Sequence, residues 1–71
     1  MEDLCTYQIE IRGRWDEREL NAMSPWCLTI LRVNPESTFA SVETDQSGLI
    51  GLMRYLHGRG LTFMSIYREK L

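Results

Sequence analysis

Residues 44 to 68 read TDQSGLIGLMRYLHGRGLTFMSIYR. They contain a helix start, an amphipathic helix, a helix stop and a run of alternating apolar residues. Asp45 is a good N-cap, because its carboxylate can accept one of the orphan N–H groups of a first turn. Leu49, Leu52, Met53 and Leu56 then fall at i, i+3, i+4 and i+7, which is one helical face, and Ile50 is expected to widen it. Arg54, His57 and Arg59 gather near the C-terminal end, where positive charge suits the helix dipole. Gly58 and Gly60 are both candidates for the left-handed residue that ends the helix. Gly48 and Gly51 each cost a helix up to about 1 kcal/mol against alanine, so close approach of the backbone to a neighbour is expected there.

After the helix, residues 61–69 (LTFMSIYRE) read as a strand. Strict alternation puts Leu61, Phe63, Ser65 and Tyr67 on one side and Met64 and Ile66 on the other. Both sides are then apolar.

Working back from this stretch, residues 38–44 (TFASVET) form a strand joined to residues 26–34 (WCLTILRVN) through the turn Asn34-Pro35-Glu36-Ser37. The segment 26–34 is apolar on both sides, with Trp26, Leu28 and Ile30 against Cys27, Leu31 and Val33. Such a strand is expected to be central and covered twice. Residues 14–25 hold a short helix of two turns at most. Asp16 and Glu19 make a capping box, Leu20 and Met23 share a face, Trp15 and Leu20 can form a hydrophobic staple, and Pro25 closes the segment. An irregular loop pinned by Trp15 is the alternative for residues 16–23. Residues 5–13 alternate, Tyr7, Ile9 and Ile11 against Thr6, Gln8, Glu10 and Arg12, which reads as a half-buried strand ended by Gly13. Residues 1–4 are expected to fray.

The element order is therefore β-(short α)-β-β-α-β, an α+β single domain spanning 1–71 around a four-stranded, mainly antiparallel sheet. The layout is either reduced ferredoxin-like or a meander plus one helix. The 12 residues between Gly13 and Trp26 only just suffice for a crossover of about a dozen residues.

Three clusters also carry a likeness. Gly13 and Asp16 fit a G-x-L-D-x-x-W start. Asp45, Gln46, Leu49, Gly51, Leu52 and Met53 fit a D-Q-x-x-L-x-G-L-L helix entry. Gly60, Leu61, Phe63, Ser65 and Ile66 fit a G-L-x-L-x-S-V end. On these positions the chain from Tyr7 to Tyr67 resembles a family of small uncharacterised bacterial single-domain proteins, cyanobacterial and actinobacterial. Trp15 stands where that family tends to have leucine, and Leu20 and Met23 stand near its usual tryptophan and aromatic positions. The resemblance implies one domain in a bacterial cytoplasm and implies no activity.

Composition narrows the function classes. The 71 residues are 44% hydrophobic and 25% charged, with a formal charge of −2 from eight basic and ten acidic residues, and the basic ones form no run. Disorder and nucleic-acid binding are poor fits. No apolar segment is long enough to span a membrane, and residues 1–12 show no secretory pattern. Cys5 and Cys27 are far apart and His57 is the only histidine, so a zinc site lacks ligands and reduced thiols in the cytoplasm are expected.

Candidate chemistry is sparse. Asp45 and Gln46 at the helix entry are a candidate polar pair, with capping as the plainer role. His57 lacks a Cys or Ser at a telling spacing. Ser65 has no partner base and no G-x-S-x-G turn. Asp16, Glu17 and Glu19 are too few for a calcium loop. Gly48-x-x-Gly51 lies within one apolar helix, unlike a nucleic-acid-clamping GXXG loop between helices. Arg12, Arg14, Arg18, Arg54, Arg59 and Arg68 suit carboxylate pairing at an interface. No cofactor or metal is expected.

What remains is surface. Trp15, Trp26, Leu31, Val33, Met64 and Ile66 exceed what two short helices cover, so the uncovered side of the sheet is expected to expose an apolar patch. The leading expectation is a non-enzymatic interaction or regulatory module that self-associates, most simply as a homodimer, sheet face to sheet face or by strand addition. The alternative is a small-ligand binding domain with a pocket at the dimer seam lined by Trp15, Trp26 and Tyr67. An enzyme using His57 and a nearby carboxylate ranks last.

Overall fold

The computed structural model describes residues 4–24 and 26–69. Six elements follow in order: β1 (Cys5–Arg12), α1 (Glu17–Met23), β2 (Thr29–Val33), β3 (Ser37–Thr44), α2 (Gln46–Gly58) and β4 (Phe63–Arg68). They make one open sheet of four strands in the order β2-β3-β1-β4, with every neighbouring pair antiparallel. β1 and β2 therefore run in the same direction on either side of β3, and β3 and β4 do so on either side of β1. This is the split β-α-β arrangement of a ferredoxin-like fold. The short 13–28 connection does cross, and the meander drops out. Among the described residues no helix is long and apolar enough to cross a membrane.

The central pair obeys period two from end to end. Tyr7, Ile9 and Ile11 pair with Val42, Ala40 and Thr38, and all six are buried on the helix-covered side. The intervening Thr6, Gln8 and Glu10 pair with Glu43, Ser41 and Phe39 on the other side. The core is completed by Leu20 of α1, Leu28, Leu61, and Leu49, Leu52 and Leu56 of α2. Ile50, expected on that helical face, is exposed instead.

Both helices start as their sequences dictate. In α1 the Asp16 carboxylate accepts from the Glu19 N–H at 2.7 Å, and the Glu19 carboxylate accepts from the Asp16 N–H at 3.3 Å. In α2 the Asp45 carboxylate accepts from the Gly48 N–H at 2.7 Å. The stop is a Schellman motif: the Gly60 N–H bonds the His57 carbonyl, the Leu61 N–H bonds the Leu56 carbonyl, and Gly60 takes φ +94°. Gly60 rather than Gly58 is the left-handed residue, and the motif delivers Leu61 into the core. The two helical glycines mark close approach. A Cβ at Gly48 would collide with the Thr44 hydroxyl, and one at Gly51 would press on the Trp26 ring at 3.3 Å.

Two strand assignments need correction. β2 is an edge strand, not a central one. Its pairing with β3 slips between Ile30 and Arg32, so Leu31 is an extra, bulged residue. The bulge puts Ile30 and Val33, opposite Ala40 and Thr38, on the same side, while Arg32 lies opposite Phe39. Trp26, Cys27 and Leu28 precede the strand. Leu28 is held by Asn21, whose amide donates to the Leu28 carbonyl at 3.1 Å and accepts from its N–H at 2.7 Å. The second correction is in β4, where Phe63 pairs with Ile11 and Ser65 with Glu10, leaving Met64 bulged. Phe63 and Ile66 both pack on the core, and Ser65 and Tyr67 lie on the opposite side.

Of the ends, only Leu4 of the expected frayed segment 1–4 is described, and it is exposed. Pro25, expected to close the α1 segment, lies outside the described residues, as does Lys70. α1 ends at Met23 with Ser24 as C-cap.

Candidate functional site on the open face of the sheet

The uncovered side of the sheet is assembled row by row from the strand register. Arg12 of β1 lies at one end, opposite Ser37. The next row is Arg32, Phe39, Glu10 and Ser65, reading from β2 across β3 and β1 to β4. The third is Thr29, Ser41, Gln8 and Tyr67. Glu43 and Thr6 form the last, joined by Glu69, whose N–H bonds the Thr6 carbonyl. This corrects the expectation of an apolar outer side: the face is polar, with Phe39 and Tyr67 as its aromatic groups. An antiparallel sheet with one wet face alternates in this way.

Much of the face is tied together. The Arg32 guanidinium carbon sits 4.5 Å from the centre of the Phe39 ring. The Ser65 hydroxyl donates to Glu10 at 3.1 Å. The Tyr67 hydroxyl donates to the Gln8 carbonyl oxygen at 2.6 Å, and the Gln8 amide donates to Glu69 at 2.7 Å. Charge is unevenly spread: Arg12 and Arg32 lie toward one end, with Glu10 in the Arg32 row, and Glu43 and Glu69 lie at the other.

The residues expected to form one apolar patch are dispersed. Trp15 is half-buried against the core, with its indole N–H bonded to the Arg12 carbonyl at 3.0 Å and its backbone N–H to the Thr38 hydroxyl at 2.9 Å. Trp26 is half-buried against Gly51 of α2. Ile66 packs on the core opposite Ile9. Leu31 and Met64 are the two bulged residues, 48% and 46% exposed, on opposite edges of the sheet, and Val33 is exposed beside Leu31. Tyr67 is 50% exposed on the open face. Trp15 and Trp26 thus lie on the helix side and Tyr67 on the other, so the three do not line one seam. A shallow, open depression near Val33 is lined by Arg14, Trp15, Asp16 and Glu19. Asp45 is occupied as N-cap, and Gln46 is simply the exposed first residue of α2.

The other chemical candidates are similarly placed. His57 is exposed in the last turn of α2. Ser65 lies within β4, not on a strand-to-helix turn, and its hydroxyl donates to the Glu10 carboxylate. Among the described residues no group of three or more His, Cys, Asp or Glu side chains is placed to hold a metal ion. Cys5 and Cys27 are not joined in a disulfide.

Sequence reasoning missed Arg32, Gln8, Glu10 and Glu69 as members of a surface. The alternation of β1 already put Gln8 and Glu10 on the wet side. Nothing in the sequence marked Arg32, because the Leu31 bulge alone turns it to that side. No protein-family model matches the chain, and neither a curated protein nor a solved structure matches it.

Proposed function

We propose that the protein is a non-enzymatic interaction module that works as a homodimer, stacked through the open face of its sheet. The observation that carries this reading is the fixed cluster of Phe39 under Arg32 beside the Tyr67–Gln8–Glu69 hydrogen-bond chain. Tyr, Phe and Arg are the side chains that interfaces favour. Side chains already held by their neighbours lose less freedom on binding. The chain is also short: a domain near this size hides only about 60% of its unfolded surface, and association is one common remedy.

The sheet edges support stacking over strand addition. Each edge strand is broken by a bulge, and on β2 the Ile30 N–H is taken by the Glu17 carboxylate at 3.0 Å. Bulges and covered N–H groups are how natural edges resist pairing. The area points to a weak dimer. Four strands about 4.8 Å apart and roughly 20 Å long give a flat area of only about 400 Å² per copy, or about 800 Å² for the pair, below the range of stable specific interfaces and in that of weak, transient ones. A reducing bacterial cytoplasm, implied by the family likeness, belongs to the same reading.

Sedimentation equilibrium from micromolar to near-millimolar protein tests it. The wild-type chain is expected to move from monomer to dimer across that range, and Phe39→Thr to dimerise about tenfold more weakly while keeping its fold. A monomer at every concentration overturns the reading.

A further inference from the structure

Resting on the dimer reading above, we infer that the two copies stack with their strands antiparallel, an orientation written into the charge of the open face. Along β1 the face runs from Arg12 at one end to Thr6 at the other, roughly 20 Å at about 3.4 Å per residue. The positive groups Arg12 and Arg32 lie toward the first end. Glu43 and Glu69 flank Thr6 at the second, placed there by the Thr6–Glu43 pairing and the bond from the Glu69 N–H to the Thr6 carbonyl.

Two aligned face-to-face stackings have two-fold symmetry. In one, the axis lies in the interface along the strands and each end meets its own kind. Glu43 and Glu69 then face the same carboxylates of the partner and Arg12 faces arginine, and only the middle row gains an opposite pair, Arg32 beside the partner's Glu10. In the other, the axis lies in the interface across the strands, and β1 covers the partner's β1 in the reverse direction. Arg12 then comes down over the partner's Thr6, between the partner's Glu43 and the partner's Glu69. The two-fold axis makes the contact twice. The Phe39 row falls over the row of Ser41 and Tyr67, so each aromatic group meets a serine and not its own copy, Phe39 the partner's Ser41 and Tyr67 the partner's Ser65. Sheets pack at about 30° to each other, so these are neighbourhoods, and long arginine and glutamate side chains reach across that offset. Like charges set against each other at an interface are penalised, and opposite ones fix register. The second stacking is the one that satisfies both conditions.

Arg12 and Glu43 are exposed, so reversing either leaves the monomer core untouched. The test is the dimerisation constant of wild type, Arg12→Glu, Glu43→Arg and the double variant Arg12→Glu/Glu43→Arg. Each single reversal is expected to weaken dimerisation about tenfold, from two repulsive contacts in place of two attractive ones. The double variant is expected to return close to wild type. Raising salt toward about 1 M, where the screening length falls to roughly 3 Å, is expected to level the four proteins. A wild-type dimer that single reversals leave unchanged overturns the antiparallel orientation while the dimer stands. Single losses that the double variant fails to recover overturn the Arg12–Glu43 pairing. A wild-type chain that stays monomeric throughout overturns the dimer and the orientation together.

Discussion

The two inner strands and the two edge strands of this sheet obey different rules. β1 and β3 keep period two without interruption, and every apolar residue of β1 between Tyr7 and Ile11 lands in the core. β2 and β4 each carry one extra residue, Leu31 and Met64, and beyond it the sides exchange. The inner strands are paired on both sides, so a slip would carry fully buried side chains into water. An edge strand is paired on one side and can absorb an extra residue. The same bulge twists its open side away from pairing with another chain. Order in the centre thus serves stability, and disorder of register at the rim serves solubility.

Single-residue deletions test that contrast most severely. Removing Glu10 from β1 forces Ile9 or Ile11 onto the open face. Exposing a buried isoleucine costs about 1.5–3 kcal/mol before the broken ladder is added, against a total stability of about 5–15 kcal/mol for a whole domain. The cooperative thermal transition is expected to vanish. Removing Met64 from β4 instead restores simple alternation, with Phe63 still opposite Ile11 and Ser65 still opposite Glu10. That variant is expected to unfold cooperatively within about 1 kcal/mol of wild type. Circular dichroism melts of the two proteins decide the matter, and equal damage from both would break the distinction.

Substitution sharpens the same contrast at lower cost. Ile9→Ala leaves a hole in the core and is expected to destabilise by about 2–5 kcal/mol. Leu31→Ala removes an exposed side chain from a bulge and is expected to stay within about 0.5 kcal/mol. Urea unfolding midpoints give both values. A Leu31 loss as large as that of Ile9 would mean that the edge residue is packed in solution, as an interface would make it.

The contrast also explains what the sequence made legible. Local chemistry was readable wherever neighbours in the chain settle it. Asp16 with Glu19 and Asp45 with Gly48 close their helix starts, and Gly60 ends α2, because capping depends on residues a few positions apart. The order of elements follows from such signals and from the alternation of β1, but they leave the ferredoxin-like layout and the meander both open, and only the strand order β2-β3-β1-β4 decides between them. The sides of β2 and β4 were misread because a bulge has no fixed residue signature. Leu31 and Met64 are apolar like their neighbours in the strand, and only pairing with β3 and β1 exposes them as extra. The candidate surface failed for the same reason. Ile66 packs on the core instead of the surface, Val33 is exposed but on the side of Thr38, and Arg32 joins the open face unannounced. Trp15 and Trp26 were counted as surface because nothing local reveals that one ring lies by Gly13 and the other on Gly51.

Which face of the protein meets its copy is measured directly by amide chemical shifts followed on dilution. Between near-millimolar and micromolar protein, the amides of Gln8, Glu10, Phe39, Ser41 and Tyr67 are expected to move together along one binding curve, while those of Ile50, Arg54 and His57 on α2 stay still. Movement centred on α2, or none anywhere, would contradict stacking through the open face.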